Sequence, residues 1–283
     1  MLGLLGPNGA GKTTFLRILT TVLPPDSGSY SIAGVPAENP VGVRACVGLL
    51  PESAGLPDDE TAAEILIFHG ELFGYPRREA RARADRLLDL VGLTDRAGSL
   101  VSGFSRGMRQ RLGIARAFVN DPQVVFLDEP TLGLDPAGQK QVLDHIAAVV
   151  REQGTTVVLS THVLAEVEEI CSRVVILNRG SIVADGSVAE VARHATAPRR
   201  GRLAVPPGRA PQAVEALRLL PVVASAEAEH GGGEVSIELH AGVTTEDGAS
   251  ALLGALVDAH IPVLGFDLER GRLSEAFLEL TQL

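Results

Sequence analysis

Eight consecutive residues near the start of the chain, Gly6, Pro7, Asn8, Gly9, Ala10, Gly11, Lys12 and Thr13, match the G-x-x-x-x-G-K-[ST] spacing of a phosphate-binding loop, and Thr14 follows directly. The glycines allow a tight turn with backbone N–H groups pointing inward, and the helix expected next presents its positive end to phosphate oxygens. Lys12 adds a mobile positive charge, and the Thr13 hydroxyl stands where it can bind a magnesium ion that bridges the phosphates. A second set of reactive groups follows Val124-Val125-Phe126-Leu127, an apolar strand that delivers Asp128 and Glu129 at its carboxyl end. Ligands bind at that end of the strands in α/β sheets. Asp128 is expected to hold magnesium, directly or through water, and Glu129 to orient an attacking water or take its proton. A third group, His162, closes the Ser160-Thr161 strand end and suits a hydrogen-bonding sensor of a terminal phosphate. The other histidines (69, 145, 194, 230, 240 and 260) have no comparable setting and receive no role.

The elements that must position these groups are legible in outline. Met1 to Leu5 reads as a strand, Lys12 to Leu23 as a helix ended by Pro24, Pro25 and Gly28, and Val47 to Leu50 as a short buried strand. A helical insert is expected next: Thr61 and Glu64 form a capping box, Arg77 to Val91 continues the helical period, and Ser105 is suited to cap a helix reaching Val119. Strands return at Val124 to Leu127 and Thr155 to Ser160, separated by a helix over Pro136 to Gln153, which is the rhythm of a parallel sheet. Val174 to Leu177 and Ser181 to Ala184 read as a hairpin turned at Arg179-Gly180, and Ser187 with Glu190 caps a closing helix. The proline- and arginine-rich stretch 195–211 reads as a linker into a small α+β domain over 212–283. In that domain helices are expected at Gln212 to Leu219 and Thr245 to Ala259, and strands at Val222 to Glu227, Glu234 to Leu239 and Val263 to Leu268. Gly231-Gly232-Gly233 reads as a hairpin tip, not an anion loop, because no helix follows it.

Composition narrows the class. The 283 residues are 45% hydrophobic, ample for packed cores, and the formal charge of −10 opposes broad attachment to nucleic acid or anionic lipid. Cys46 and Cys171 are too few and too far apart for a metal pair, and read as small buried hydrophobes in a reducing compartment. No apolar stretch approaches the roughly 18 residues of a membrane span, and the opening residues do not form a signal peptide. The basic run Arg77 to Arg86 contains no aromatic side chain for base stacking and reads as a solvated helix face.

The segment Phe104-Ser105-Arg106-Gly107-Met108-Arg109-Gln110-Arg111 lies between these pieces, and Gly133-Leu134-Asp135 follows the Asp-Glu strand. With the phosphate loop, the Asp128-Glu129 pair and His162 in this order, the chain resembles the nucleotide-binding subunit of the ATP-binding cassette family over residues 1–194, with a helical subdomain at about 53–120. The resemblance implies a P-loop NTPase α/β fold: a parallel sheet with an inserted helical subdomain, followed by the small C-terminal α+β domain. It implies ATP and Mg2+ as ligands, and an ATPase that works as a dimer sandwiching two nucleotides. Each site would then pair one copy's loop with the other copy's Ser105 and Gly107. Asp135 either lies at that facing interface or simply caps the helix that begins at Pro136. Glu52, after Gly48-Leu49-Leu50-Pro51, falls in the loop that relays nucleotide state to a membrane partner and contributes to the metal site. The family commonly has Gln there, and Gln can donate a hydrogen bond that a glutamate cannot.

Phe104, Arg106 and Met108 replace the commoner Leu, Gly and Gln of the signature, which is similar to the daunorubicin-type drug-exporter branch. The same branch carries a C-terminal α+β domain ending in a segment like Leu273 to Leu280. The implied function is energising export of a hydrophobic, drug or lipid-like compound through a separate membrane permease, from the cytoplasmic face of the membrane and without nucleic acid. The rival expectations are a nucleotide-dependent regulatory module with weak hydrolysis and a soluble cassette ATPase acting on nucleic acid. Family members normally carry some tens of residues before the loop, including strands and an adenine-stacking aromatic, so a truncated start with an exposed sheet edge is expected.

Overall fold

The computed structural model describes residues 1–193, 198–229, 232–269 and 273–282. The chain divides into two compact units, Met1–Asp185 and Gly186–Leu283.

The first unit is built on β1 (Leu2–Leu5), α1 (Lys12–Leu19), a small hairpin of β2 (Ser31–Ile32) and β3 (Val35–Pro36), α2 (Pro40–Cys46) and β4 (Val47–Leu50). Three helices follow, α3 (Ala62–Leu72), α4 (Arg77–Leu90) and α5 (Arg106–Ala117). The chain then alternates through β5 (Val124–Asp128), α6 (Pro136–Gln153), β6 (Thr156–Thr161), α7 (Leu164–Ile170), β7 (Arg173–Asn178) and β8 (Ser181–Ser187). The large sheet has the order β4-β5-β6-β1-β7-β8. Its β4–β5, β5–β6, β6–β1 and β1–β7 pairs are parallel. β1 is therefore an interior strand, paired on both sides, and the expected exposed edge does not fall on it. Leu4, Leu16, Val43 and Phe126 share one buried cluster against this sheet, so the strand before the loop and the helix after it are both anchored in the core.

Local chemistry explains the boundaries. Helix α1 ends at Leu19, four residues before the expected Leu23, because the Thr20 hydroxyl bonds back to the Leu16 carbonyl at 2.8 Å and Thr21 turns left-handed at φ 62°. At α3 the capping box forms as expected: the Thr61 N–H donates to Glu64 Oε2 at 2.9 Å, and the Glu64 N–H donates to Thr61 Oγ1 at 3.3 Å. On α4 the basic run is tied into an ionic cluster, with Arg83 bonded to Glu79 at 3.0 Å and to Asp121. The β7–β8 turn falls at Arg179 and Gly180, whose φ values of 49° and 80° are those of a two-residue hairpin turn.

The second unit contains α8 (Val188–Arg193), β9 (Arg200–Ala204), α9 (Ala210–Arg218), β10 (Val223–Ala228), β11 (Glu234–Leu239), α10 (Thr245–Asp258), β12 (Gly265–Leu268) and α11 (Leu273–Thr281). The order β10-β11-β9-β12, antiparallel throughout, is the split β-α-β arrangement also seen in ferredoxin-like folds. Leu203, Val235, Ile237, Ala213, Leu217 and Leu252 fill its core.

The stretch expected as a linker over 195–211 is different in the structure. Residues 194–197, with His194, lie outside the described residues, but β9 is an inner strand and α9 already begins at Ala210. The reason is a period of two hidden by composition: Gly201 and Leu203 face inward while Arg200 and Arg202 face solvent. In the glycine tip, Gly231 and the adjacent His230 lie outside the described residues.

Candidate functional site

Between β1 and α1 the loop is held from several directions. Gly9 and Gly11 adopt φ of 81° and 103°, open to glycine at no steric cost. At Gly6 the requirement is space, because a Cβ there would stand 2.4 Å from the Leu177 carbonyl oxygen. The Gly180 N–H donates to the Ala10 carbonyl at 3.0 Å, so the β7–β8 turn braces the loop from outside. Lys12 differs from the freely moving charge expected. Its side chain is buried, and Nζ donates to the Gly6 carbonyl at 2.7 Å and the Pro7 carbonyl at 3.4 Å. The ammonium is thereby curled over the loop at the place where phosphate oxygens would replace those carbonyls.

β5 delivers Asp128 into the core end of the sheet and Glu129 just beyond it. Glu129 has φ 50°, a left-handed conformation that a non-glycine residue adopts only when its surroundings enforce it. Its N–H donates to the Ser160 carbonyl at 2.9 Å, and its side chain meets His162, with Nδ1 to Oε2 at 2.8 Å. The Glu129 side chain is 12% exposed and that of His162 48%, so the carboxylate lies inside and the imidazole covers it at the surface. Burial pushes the Glu129 carboxyl above the usual range, and the His162 hydrogen bond and the charges of His162 and Lys12 oppose that rise. A more basic carboxylate is a better proton acceptor near neutral pH.

Gly9, Lys12, Thr13, Glu52, Glu129 and His162 line one cleft of about 450 Å3. Thr13 and Glu52 also line an adjoining cleft of about 990 Å3 to which Asp128 contributes. The structure thus brings together the loop, the carboxylates of Asp128 and Glu129, and the histidine. A divalent cation fits here on one observation in particular: Asp128 Oδ1 is buried with no hydrogen-bond partner, and so is the hydroxyl of Ser160, its register neighbour on β6. A carboxylate oxygen left bare in a dry site is costly unless a cation or its water meets it. Among the described residues no three acidic, histidine or cysteine side chains form a metal cluster. Sequence reasoning did not assign the Ser160 hydroxyl; only the β5–β6 register places it beside Asp128.

Ser105, Gly107, Gly133 and Asp135 lie together in a third cleft of about 340 Å3, which shares no lining residue with the 450 Å3 cleft and Arg106 alone with the 990 Å3 one. Ser105 caps α5, its hydroxyl accepting from the Met108 N–H at 3.3 Å. Asp135 caps α6, accepting from the Gly138 N–H at 3.1 Å. The Arg106 guanidinium lies against Gly133, filling the space where a side chain at 133 would begin.

The ABC transporter family model matches residues 1–132, a span that contains the loop, the Ser105 segment, Asp128 and Glu129. A daunorubicin resistance ATP-binding protein of Streptomyces coeruleorubidus is 35% identical over 280 residues, covering 99% of this chain and 86% of that protein. The chain belongs to the ABC transporter family. A daunorubicin/doxorubicin resistance ATP-binding protein of Streptomyces peucetius is 36% identical over 294 residues, covering 99% of this chain and 83% of that protein. An uncharacterized ABC transporter ATP-binding protein of Synechocystis is 46% identical over 194 residues, and the match spans 67% of this chain but only 53% of that relative. Among solved structures, an ATP binding subunit of an ABC transporter superposes with a TM-score of 0.60 at 34% identity, covering 68% of this chain and 80% of that one. This ABC protein is an ATPase of the P-loop α/β class, and ATP is its nucleotide. Among its described residues no helix is long and apolar enough to cross a membrane.

Proposed function

We propose that this ABC ATPase hydrolyses ATP in the cleft between Lys12 and Glu129 to energise export of a hydrophobic, drug-like or lipid-like compound through a separately encoded membrane permease. Its place is then the cytoplasmic face of the membrane, where it is held by that permease. The relatives named for daunorubicin resistance, and a linearmycin resistance ATP-binding protein of Bacillus subtilis that is 37% identical over 186 residues, support the drug-export reading.

The observation that carries the chemistry is the Glu129–His162 contact beside the phosphate loop. ATP places its phosphates over the loop N–H groups, and Lys12 exchanges its carbonyl contacts for phosphate oxygens. The Glu129 carboxylate orients a water for in-line attack on the terminal phosphorus and takes one of its protons. A new P–O bond forms to the water oxygen as the bond to the ADP oxygen breaks. His162 holds Glu129 and reaches the transferred group from the exposed side. Thr13 and Asp128, with Glu52 at the cleft wall, would hold a magnesium ion, whose chemistry there would be charge neutralisation of the phosphate oxygens. The separate Ser105–Asp135 cleft fits the completion of each site by a second copy, with Ser105 and Gly107 facing the other copy's nucleotide.

Lys12→Ala tests this reading. The expected outcome is loss of ATP binding and of phosphate release in the complex with the permease. Binding and release at the unsubstituted level would overturn it.

A further inference from the structure

One buried acid takes no part in the chemistry described so far. Glu166, on α7, is 3% exposed, and both of its carboxylate oxygens are engaged by threonine hydroxyls from two other segments. The Thr131 hydroxyl donates to Oε1, and the Thr161 hydroxyl donates to Oε2 at 2.8 Å. Thr161 Oγ1 in turn accepts from the Val163 N–H at 3.0 Å, so the arrangement continues into the backbone on the far side of His162. Thr131 and Thr161 are each almost completely buried.

The position of the two threonines gives this contact its meaning. Thr131 stands two residues after Glu129, and Thr161 immediately precedes His162. The strained turn at Glu129 and the strand end at His162 come from different parts of the sequence, yet one carboxylate holds the residues beside both. A buried charged group kept only for packing is a poor choice, since apolar side chains of similar volume serve stability as well or better. A group that fixes two catalytic side chains to within a fraction of an ångström has a different value, because displacement of about 1 Å costs on the order of 100-fold in rate.

We propose that Glu166 is a positioning residue for ATP hydrolysis: through Thr131 and Thr161 it sets the Glu129–His162 pair in register over the phosphate loop. It acts through those neighbours and touches neither nucleotide nor water. The inference rests on the assignment of Glu129 and His162 made above.

The test uses the purified full chain and compares ATP affinity with turnover. Replacing the whole network by apolar groups of similar shape, Thr131→Val with Thr161→Val and Glu166→Leu, removes the three buried polar side chains together and frees only the half-buried Val163 N–H, which water can reach, so the melting temperature stays near that of the parent. The expected result is unchanged ATP affinity with kcat lower by about 10- to 100-fold. The single substitutions Thr131→Val and Thr161→Val, which remove one hydroxyl each, should lower kcat by smaller factors with affinity again unchanged, and they serve if the triple variant does not fold. A folded triple variant, or both single variants, turning over ATP at the parent rate would overturn the proposal and leave Glu166 a packing residue. Adding the three substitutions to Glu129→Gln should reduce turnover no further, because the positioned group is already gone. Normal turnover by Glu129→Gln alone would instead overturn the assignment of the site itself.

Discussion

Glu129→Gln tests the electrostatics of the site in two opposite directions at once. The amide retains the shape of the side chain and an oxygen to accept from His162 Nδ1, so the 2.8 Å contact survives. What is removed is the capacity to hold a proton taken from water. Loss of a positioned general base costs about 10²- to 10⁴-fold in rate, equivalent to about 3–5 kcal/mol of barrier. Stability should move the other way. The carboxyl of Glu129 is raised above its ordinary value mainly by burial, so the folded state binds a proton more tightly than the unfolded chain does. A raised acid favours folding below its unfolded value, near about pH 4.3, and that advantage is lost as pH rises through the folded value. At neutral pH the ionised group is therefore a liability that the neutral amide removes. The assay pairs phosphate release at saturating ATP with thermal melts across the acidic to neutral range. The expected result is a variant that binds ATP, scarcely turns it over and melts higher than the parent at neutral pH, with the difference shrinking in acid. Turnover within about threefold of the parent, or a melting gain independent of pH, would refute the reasoning.

Two further substitutions probe the metal and the scaffold. Asp128→Asn removes a charge from a buried oxygen that has no protein partner, so in chelator the variant should be at least as stable as the parent. Magnesium with ATP should raise the parent's melting temperature but not the variant's, and an equal rise in both would refute the metal assignment. Gly48→Ala would place a Cβ 1.9 Å from the Ala117 carbonyl oxygen, where β4 packs against the end of α5. Overpacking against backbone of this severity should cost about 3 kcal/mol, read as a lower urea midpoint with an unchanged denaturant slope.

Features written in short runs of sequence were legible, and those written across the fold were not. The phosphate loop, the Asp128–Glu129 strand end and the capping residues Thr61, Ser105 and Asp135 declare themselves within a few neighbours, because glycine spacing and capping are local chemistry. The two readings of Asp135 illustrate the boundary: the cap is present in one chain, whereas a facing interface needs a second. Glu166 was invisible, since one of its two threonines is 35 residues away and acidic residues flank it at 168 and 169. The left-handed turn at Glu129 carries no compositional sign, because the favoured glycine is absent there. Strand β9 was concealed by arginines on its solvent face, which made an alternating pattern look like a charged connector. Lys12 was expected as a mobile charge, and its posture was not legible, as only the folded loop shows the carbonyls that hold it.

The bond from the Gly180 N–H to the Ala10 carbonyl, together with the Leu177 oxygen crowding Gly6, means that the famous octapeptide does not own its shape. A hairpin some 170 residues downstream completes the mould. Transplanting the opening segment into a foreign scaffold would carry the letters of the motif and leave behind the wall it leans on. Portability, in this molecule, belongs to the two distant stretches as a set.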